Sequence, residues 1–298
     1  MTWTTLVLSH PPLKIELLGA LAIRTVFWLV PSLFFLFFDT LVPSLAESIK
    51  FYGAQSLPPR NAAYLSRQVL LALFNLALST AVQAGISVGA GMLLHRPLFA
   101  TSTRLPLPWQ IVKHILILYT AREVLTYYIN RYVLHSRSSV AKMHNSYAHS
   151  RRRKAAPYSL MLYTDHPVPL LLSRTLPVYL PAIVIQPHLL TYFLFTIFTT
   201  LEETLSMSGY SIVPGIIMGG ITRRSALHYA SGGHGNFGAW GLLDWASGTS
   251  VGKDVVEDIH DEAEKHQVKE RGQKAVGDTG NMLQDGINGL KKRGRSRK

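Results

Sequence analysis

The chain has 298 residues, 48% of them apolar, and a mean hydropathy of +0.17, too oily a balance for an ordinary soluble domain with a charged surface. It has no cysteine, which excludes a disulfide framework, a thiolate-held zinc or iron–sulfur site and a thiol nucleophile. The formal net charge is +13, yet residues 251–298 are nearly balanced, with 11 basic and 9 acidic side chains, so 19 basic against 8 acidic residues lie in the oily part. A nucleic-acid reader would not set its positive charge between runs of membrane length, so no nucleic-acid partner is expected.

Taken in chain order, the first apolar run is Leu17 to Phe38, long enough to cross a hydrocarbon layer of ~30 Å as a helix. Arg24 and Pro31 interrupt it, and a cleavable signal has a different order of charge, apolar core and small residues. Val69 to Leu94 is rich in Ala, Gly and Ser, the residues that let helices approach closely in a bilayer, and is expected inside a bundle. Ile111 to Leu134 carries Lys113, His114, Arg122 and Glu123; Arg122 and Glu123 must face protein or a polar cavity. Ser136 to Thr175 is polar, with seven Lys/Arg and the single acid Asp165, and by the positive-inside rule is cytosolic.

Leu176 to Thr200 is apolar again but contains Pro177, Pro181 and Pro187, and reads as a broken helix followed by a continuous one, or as a re-entrant hairpin. Two crossings there would return Ser225 to Thr249 to the side of Ser136. Asp244-Trp245 reads as an interfacial anchor, and Gly232 to Asn236 as a flexible turn. From Val251 the pattern becomes mixed charge ending in a basic run; its first part is expected to be a solvated helix and its end disordered. The division is thus membrane helices over 1–100, a second region over 101–250 and a polar tail over 251–298. The fold class is all-α: a polytopic integral membrane helical bundle with a cytosolic histidine-rich cap.

Twelve histidines are present, and His135, His144, His149, His166, His228 and His234 fall in polar stretches beside the apolar runs. Neutral imidazole is a good ligand for iron or zinc, and without cysteine a histidine cluster is the natural way to hold a redox metal. His144 and His149 are five apart, about 140° around a regular helix, so sharing a metal requires a helix end or a π-bulge between them. His95, His114, His188, His260 and His266 read as structural or solvated.

Five stretches, YINRYVLHS from Tyr128, MHNSYAHS from Met143, APYSLMLYTDHP ending at Pro167, LEETLSMSGY ending at Tyr210 and HYASGGHGNFGAWGLLDWASGTSVG from His228, resemble the fatty acid hydroxylase/sterol desaturase superfamily in its fungal branch. The resemblance runs in order from about residue 110 to 265 and implies an endoplasmic-reticulum membrane enzyme with a histidine-ligated non-haem diiron centre. Such an enzyme uses dioxygen and an electron-donor protein to hydroxylate or desaturate a lipid, sterol or lipid-like metabolite. Carried over by position, it assigns the metal to His135, His144, His149, His166 and His228. Four family histidine positions hold Asn130, Met207, Ser225 and Tyr229 instead, and His234, Glu202 or Glu203 are the residues available to fill the gaps.

The first functional reading is therefore a membrane oxygenase. The second is a non-catalytic relative that keeps the bundle and binds lipid or acts as a scaffold, which the four substitutions favour. A proton-coupled transporter using His114, Arg122 and Glu123 is the third, and lacks the internal inverted symmetry it calls for.

Overall fold

The computed structural model describes residues 2–149 and 157–265. Among them there is no strand beyond two isolated bridges, Lys50 with Tyr210 and Ala100 with His188. The described residues through Gly252 form one compact unit, and those from Lys253 a second. The basic cluster Arg151 to Lys154, the histidine His266 and the terminal basic run lie outside the described residues.

The chain opens with α1 (Trp3–Ser9), α2 (Pro12–Arg24) and α3 (Val30–Leu41), the last two joined by a π-helical turn over Thr25–Leu29. In that turn the Val30 N–H reaches the Thr25 carbonyl. The widened turn lies just ahead of Pro31, which has no N–H to give and whose ring crowds the carbonyl four residues back. α4 (Pro43–Ile49) and the long α5 (Ala62–Leu94) follow, then α6 (Pro108–Ile129) and α7 (Ser139–Tyr147). Next come α8 (Pro167–Leu170), a further π turn over Leu171–Thr175 ahead of Pro177, and α9 (Leu176–Ile185). α10 (Leu189–Ser206), α11 (Ile216–Ala230) and the short α12 (Leu242–Ala246) complete the first unit.

Three helices are long and apolar enough to cross a membrane: Pro12–Leu41, Ala62–Leu94 and Pro167–Ile185. Two match the runs beginning at Leu17 and Val69. The third differs from expectation, because Ile111–Leu134 forms a helix but carries Lys113, Arg122 and Glu123, whereas the spanning segment begins at Pro167, inside the stretch read as polar from its charges. The break expected near the prolines falls at Gln186, held left-handed at φ 48°. His188 then restarts the chain by accepting the Leu190 N–H on Nδ1 at 3.2 Å, which begins α10.

The small-residue helix α5 does not lie inside the bundle. Its buried stripe is Ala72, Asn75, Leu76, Ser79, Gln83 and Ser87, while Leu70, Phe74, Met92 and Leu93 are exposed and Gly85 and Gly89 face open space. Polar side chains at membrane depth need partners, and these select the face that packs. Glu16 Oε1 accepts from Ser87 Oγ at 2.6 Å, Tyr179 Oη at 2.8 Å and Gln83 Nε2 at 3.3 Å, and Arg24 donates to Gln83 Oε1 at 3.1 Å. One carboxylate thus ties α2, α5 and α9 together.

Two apolar clusters fill the bundle. One joins Ile15, Leu118, Val178, Tyr179, Leu189, Tyr192 and Phe195. The other joins Trp28, Leu36, Leu76, Tyr158, Leu160, Leu162, Tyr163, Leu170 and Met207; it supports the loop after residue 157, with the Trp28 indole donating to the Ser159 carbonyl at 3.3 Å. In the second unit the expected solvated helix is α13 (Val255–Lys265), started by Asp254, whose Oδ1 accepts the Val256 and Glu257 N–H groups at 2.8 and 2.9 Å.

Candidate metal centre

Four histidines from three stretches of the chain, His135, His144 with His149, and His228, meet in one cluster. Ring centroids lie 4.9 Å apart for His135 and His228, 5.1 Å for His135 and His144, 5.2 Å for His144 and His149, and 5.3 Å for both His135–His149 and His149–His228. One nitrogen each from His135, His144 and His149 falls within a set spanning no more than 4.8 Å.

Local structure explains each placement. α6 ends in a π turn over Asn130–Leu134, and the Asn130 carbonyl accepts both the His135 N–H at 3.0 Å and its Nδ1–H at 2.9 Å. The ring is thereby fixed with Nε2 turned to the cluster. α7 begins at Ser138, whose Oγ accepts the Ala141 N–H at 3.1 Å, carries His144 and ends at Tyr147. His149 therefore lies past the helix end, and that termination brings the i, i+5 pair together. His228 sits in the last turn of α11 and donates Nδ1–H to the Gly235 carbonyl at 2.8 Å.

His166 stands apart from the four rings. Its Nδ1 accepts the Val168 N–H at 3.3 Å, starting α8, and its ring packs on Tyr147 at 5.4 Å. His234 is exposed. Glu202 and Glu203 are engaged elsewhere, by Arg122 at 2.7 and 2.9 Å, with Arg174 at 3.5 Å from Glu203. Arg122 and Glu123 do face a polar interior: Glu123 accepts the N–H groups of Ala239 and Trp240 at 3.2 and 2.9 Å. Asp244 is no surface anchor. It is fully buried and accepts from the N–H groups of Phe237 and Gly238 at 2.9 and 2.8 Å and from Thr249 Oγ1 at 2.7 Å; its neighbour Trp245 remains exposed.

Sequence reasoning missed three residues that shape the centre. Asp165 accepts Nδ1–H of His144 at 2.5 Å, which fixes the ring and raises the basicity of its other nitrogen, as carboxylates do behind metal-bound imidazoles. Asn75 of α5 holds that segment by donating to the carbonyls of Tyr163 and Asp165, both at 2.8 Å. Gly233, at φ +85°, lets the chain pass over the cluster: a Cβ there would lie 2.4 Å from the His135 ring and 3.2 Å from His149 Nε2. The sequence signal for Asp165 was its position as the single acid in a basic stretch. Gly233→Ala is expected to displace His135 and to lower bound metal about ten-fold, the scale of lost ligand support; metal content unchanged beside intact helical circular dichroism would contradict this.

The donor set fits a cation. Burial pushes His135 down to about 4, His149 to about 2 and His228 to about 3, with neighbouring imidazoles adding to the effect. These rings are neutral at physiological pH, the form that binds metal. His144 Nε2 and His149 Nδ1 are buried without a partner, and His135 Nε2 and His149 Nε2 face each other at 3.2 Å. Unsatisfied buried nitrogens are costly, and a shared cation, taking one nitrogen from each ring, would relieve part of that cost. Beside the cluster lies a cavity of about 80 Å³ whose wall includes His144, His228, Arg122, Arg174, Glu202 and Glu203.

Fold and site together define an integral membrane protein with apolar spanning helices and a four-imidazole cluster. Residues 115–249 match the fatty acid hydroxylase family model, which places this segment in the fatty acid hydroxylase/sterol desaturase superfamily. No solved structure matches the chain.

Proposed function

We infer that the protein is a membrane-bound, iron-dependent oxidoreductase that hydroxylates or desaturates a lipid or lipid-like substrate. The observation that carries this reading is the convergence of four imidazoles from the turn after α6, from α7 and its end, and from α11, with two buried nitrogens otherwise unpaired. Iron, when bound, supplies the capacity to activate dioxygen.

In hydroxylation one oxygen atom enters a substrate C–H bond and the other leaves as water, with two electrons and two protons delivered by way of an electron-donor protein. In desaturation two hydrogens leave the substrate and both oxygen atoms become water, with the same donor supplying two further electrons and protons. The chain's own residues do the positioning. Asp165 orients His144, the Asn130 and Gly235 carbonyls orient His135 and His228, and the Arg122–Glu202–Glu203 group lines the cavity beside them.

An apolar groove of about 280 Å³, formed by Phe34, Phe35, Phe38, Leu205, Tyr210 and Ile212, offers a path for a hydrocarbon chain from the bilayer. It shares the end of α10 with the cavity: Leu205 and Ser208 face the groove, Ser206 and Met207 the cavity. The reading includes an endoplasmic-reticulum membrane with the histidine end cytosolic, supported by the six basic residues between Ser136 and His166, ahead of the span Pro167–Ile185.

The test incubates iron-loaded, detergent-purified protein with dioxygen, a chemical reductant and a total lipid extract, followed by mass spectrometry. Lipids gaining one oxygen or losing two hydrogens, and not doing so with His144→Ala, are expected. Iron below about a tenth of an ion per chain under loading conditions, where intact catalytic sites bind metal tightly, would replace this reading with the lipid-binding scaffold.

A further inference from the structure

The cavity beside the histidines is lined by His144 and His228 of the imidazole cluster and also by Asn130, Met207, Ser225 and Tyr229, the four positions without the family histidine. Each of the four has another engagement. Asn130 donates its amide to the Phe237 carbonyl at 2.7 Å. Ser225 Oγ donates to the Met207 sulfur at 3.6 Å. Tyr229 packs its ring on His149 at 5.1 Å and on His228 at 5.5 Å.

The carboxylates of the same cavity do not make up the loss. Asp165 is committed to His144 at 2.5 Å. Glu202 and Glu203 are held by Arg122 at 2.7 and 2.9 Å, and Arg174 adds a second guanidinium at 3.5 Å from Glu203. Arg122 is itself buried, 2% exposed. A divalent ion elsewhere in this cavity would find no free carboxylate among the described residues, since Glu202 and Glu203 are already paired with guanidinium groups and Asp165 with His144.

We propose that this chain holds a single iron ion, bound by His135, His144, His149 and His228, in place of the two-iron centre its family resemblance implies, and that the rest of the cavity is left to molecules the size of water or dioxygen. The proposal rests on the oxidoreductase reading above for the presence of a metal, and departs from it in the number. Three or four nitrogen ligands with positions left open are sufficient for one reactive metal.

The test loads the full-length protein in detergent with iron(II) under anaerobic conditions, removes unbound metal, and measures iron per chain by mass spectrometry. After oxidation, the paramagnetic resonance of the ferric form is integrated against that content. One iron per chain, with spin matching iron, is expected. Two irons per chain, or a spin-silent coupled pair, would overturn the single-ion proposal and leave the oxidoreductase reading standing. Near-zero iron would overturn both. Met207→Ala and Ser225→Ala are expected to retain the wild-type iron content; a fall to half in either would place a second ion in that cavity.

Discussion

Replacing His144 by alanine is expected to lower the iron retained after purification by more than about ten-fold, because it removes a nitrogen that is buried, unpaired and backed by a carboxylate. Asp165→Asn should weaken retention less, since the ring keeps its place but loses its anionic support. His166→Ala is the matched control: that ring accepts a backbone N–H and packs on Tyr147, so its loss should leave iron content within about two-fold. The measurement is metal per chain, with circular dichroism confirming that the helices persist. Equal losses for His144→Ala and His166→Ala would show that the cluster as described is not the metal's home.

The second large effect is expected at Arg122. Its guanidinium donates to Glu202 and Glu203 at 2.7 and 2.9 Å while only 2% exposed. Arg122→Leu would leave the buried Glu202 without its counter-ion and Glu203 with only the more distant Arg174, and breaking a buried ion group in this way costs about 3–5 kcal/mol. The expected result is a sharp drop in the thermal unfolding midpoint in detergent, partly recovered when Glu202→Gln and Glu203→Gln are added, since the double change removes the stranded charges. A loss below about 1 kcal/mol, in the range of exposed pairs, would mean that water reaches these carboxylates freely.

The same residue shows how far charge placement alone can be read. Arg122 and Glu123 in the middle of an apolar run had to find partners, and they do, in Glu202, Glu203 and the N–H groups of Ala239 and Trp240. The partners were not legible: they lie some 80 and 117 residues on, and no local pattern links them. The small residues of α5 misled for a related reason. Ala, Gly and Ser permit close approach, but Asn75, Ser79, Gln83 and Ser87 required it, so the polar stripe chose the buried face and Gly85 and Gly89 were left to the lipid side. Likewise the spanning helix from Pro167 was hidden because basic residues upstream set the average of its window.

By itself the sequence determined the helical, membrane-embedded character of the chain, the absence of any thiol chemistry and the set of stretches from which metal ligands had to come. These follow from composition and from runs of apolar residues, which act locally along the chain. Only the tertiary structure decided that α7 stops before His149, that a π turn aims His135, that His166 stands apart at the start of α8, and that the four substituted positions line one cavity. Those outcomes depend on where helices end and how they cross, which is set by contacts between residues far apart in the chain.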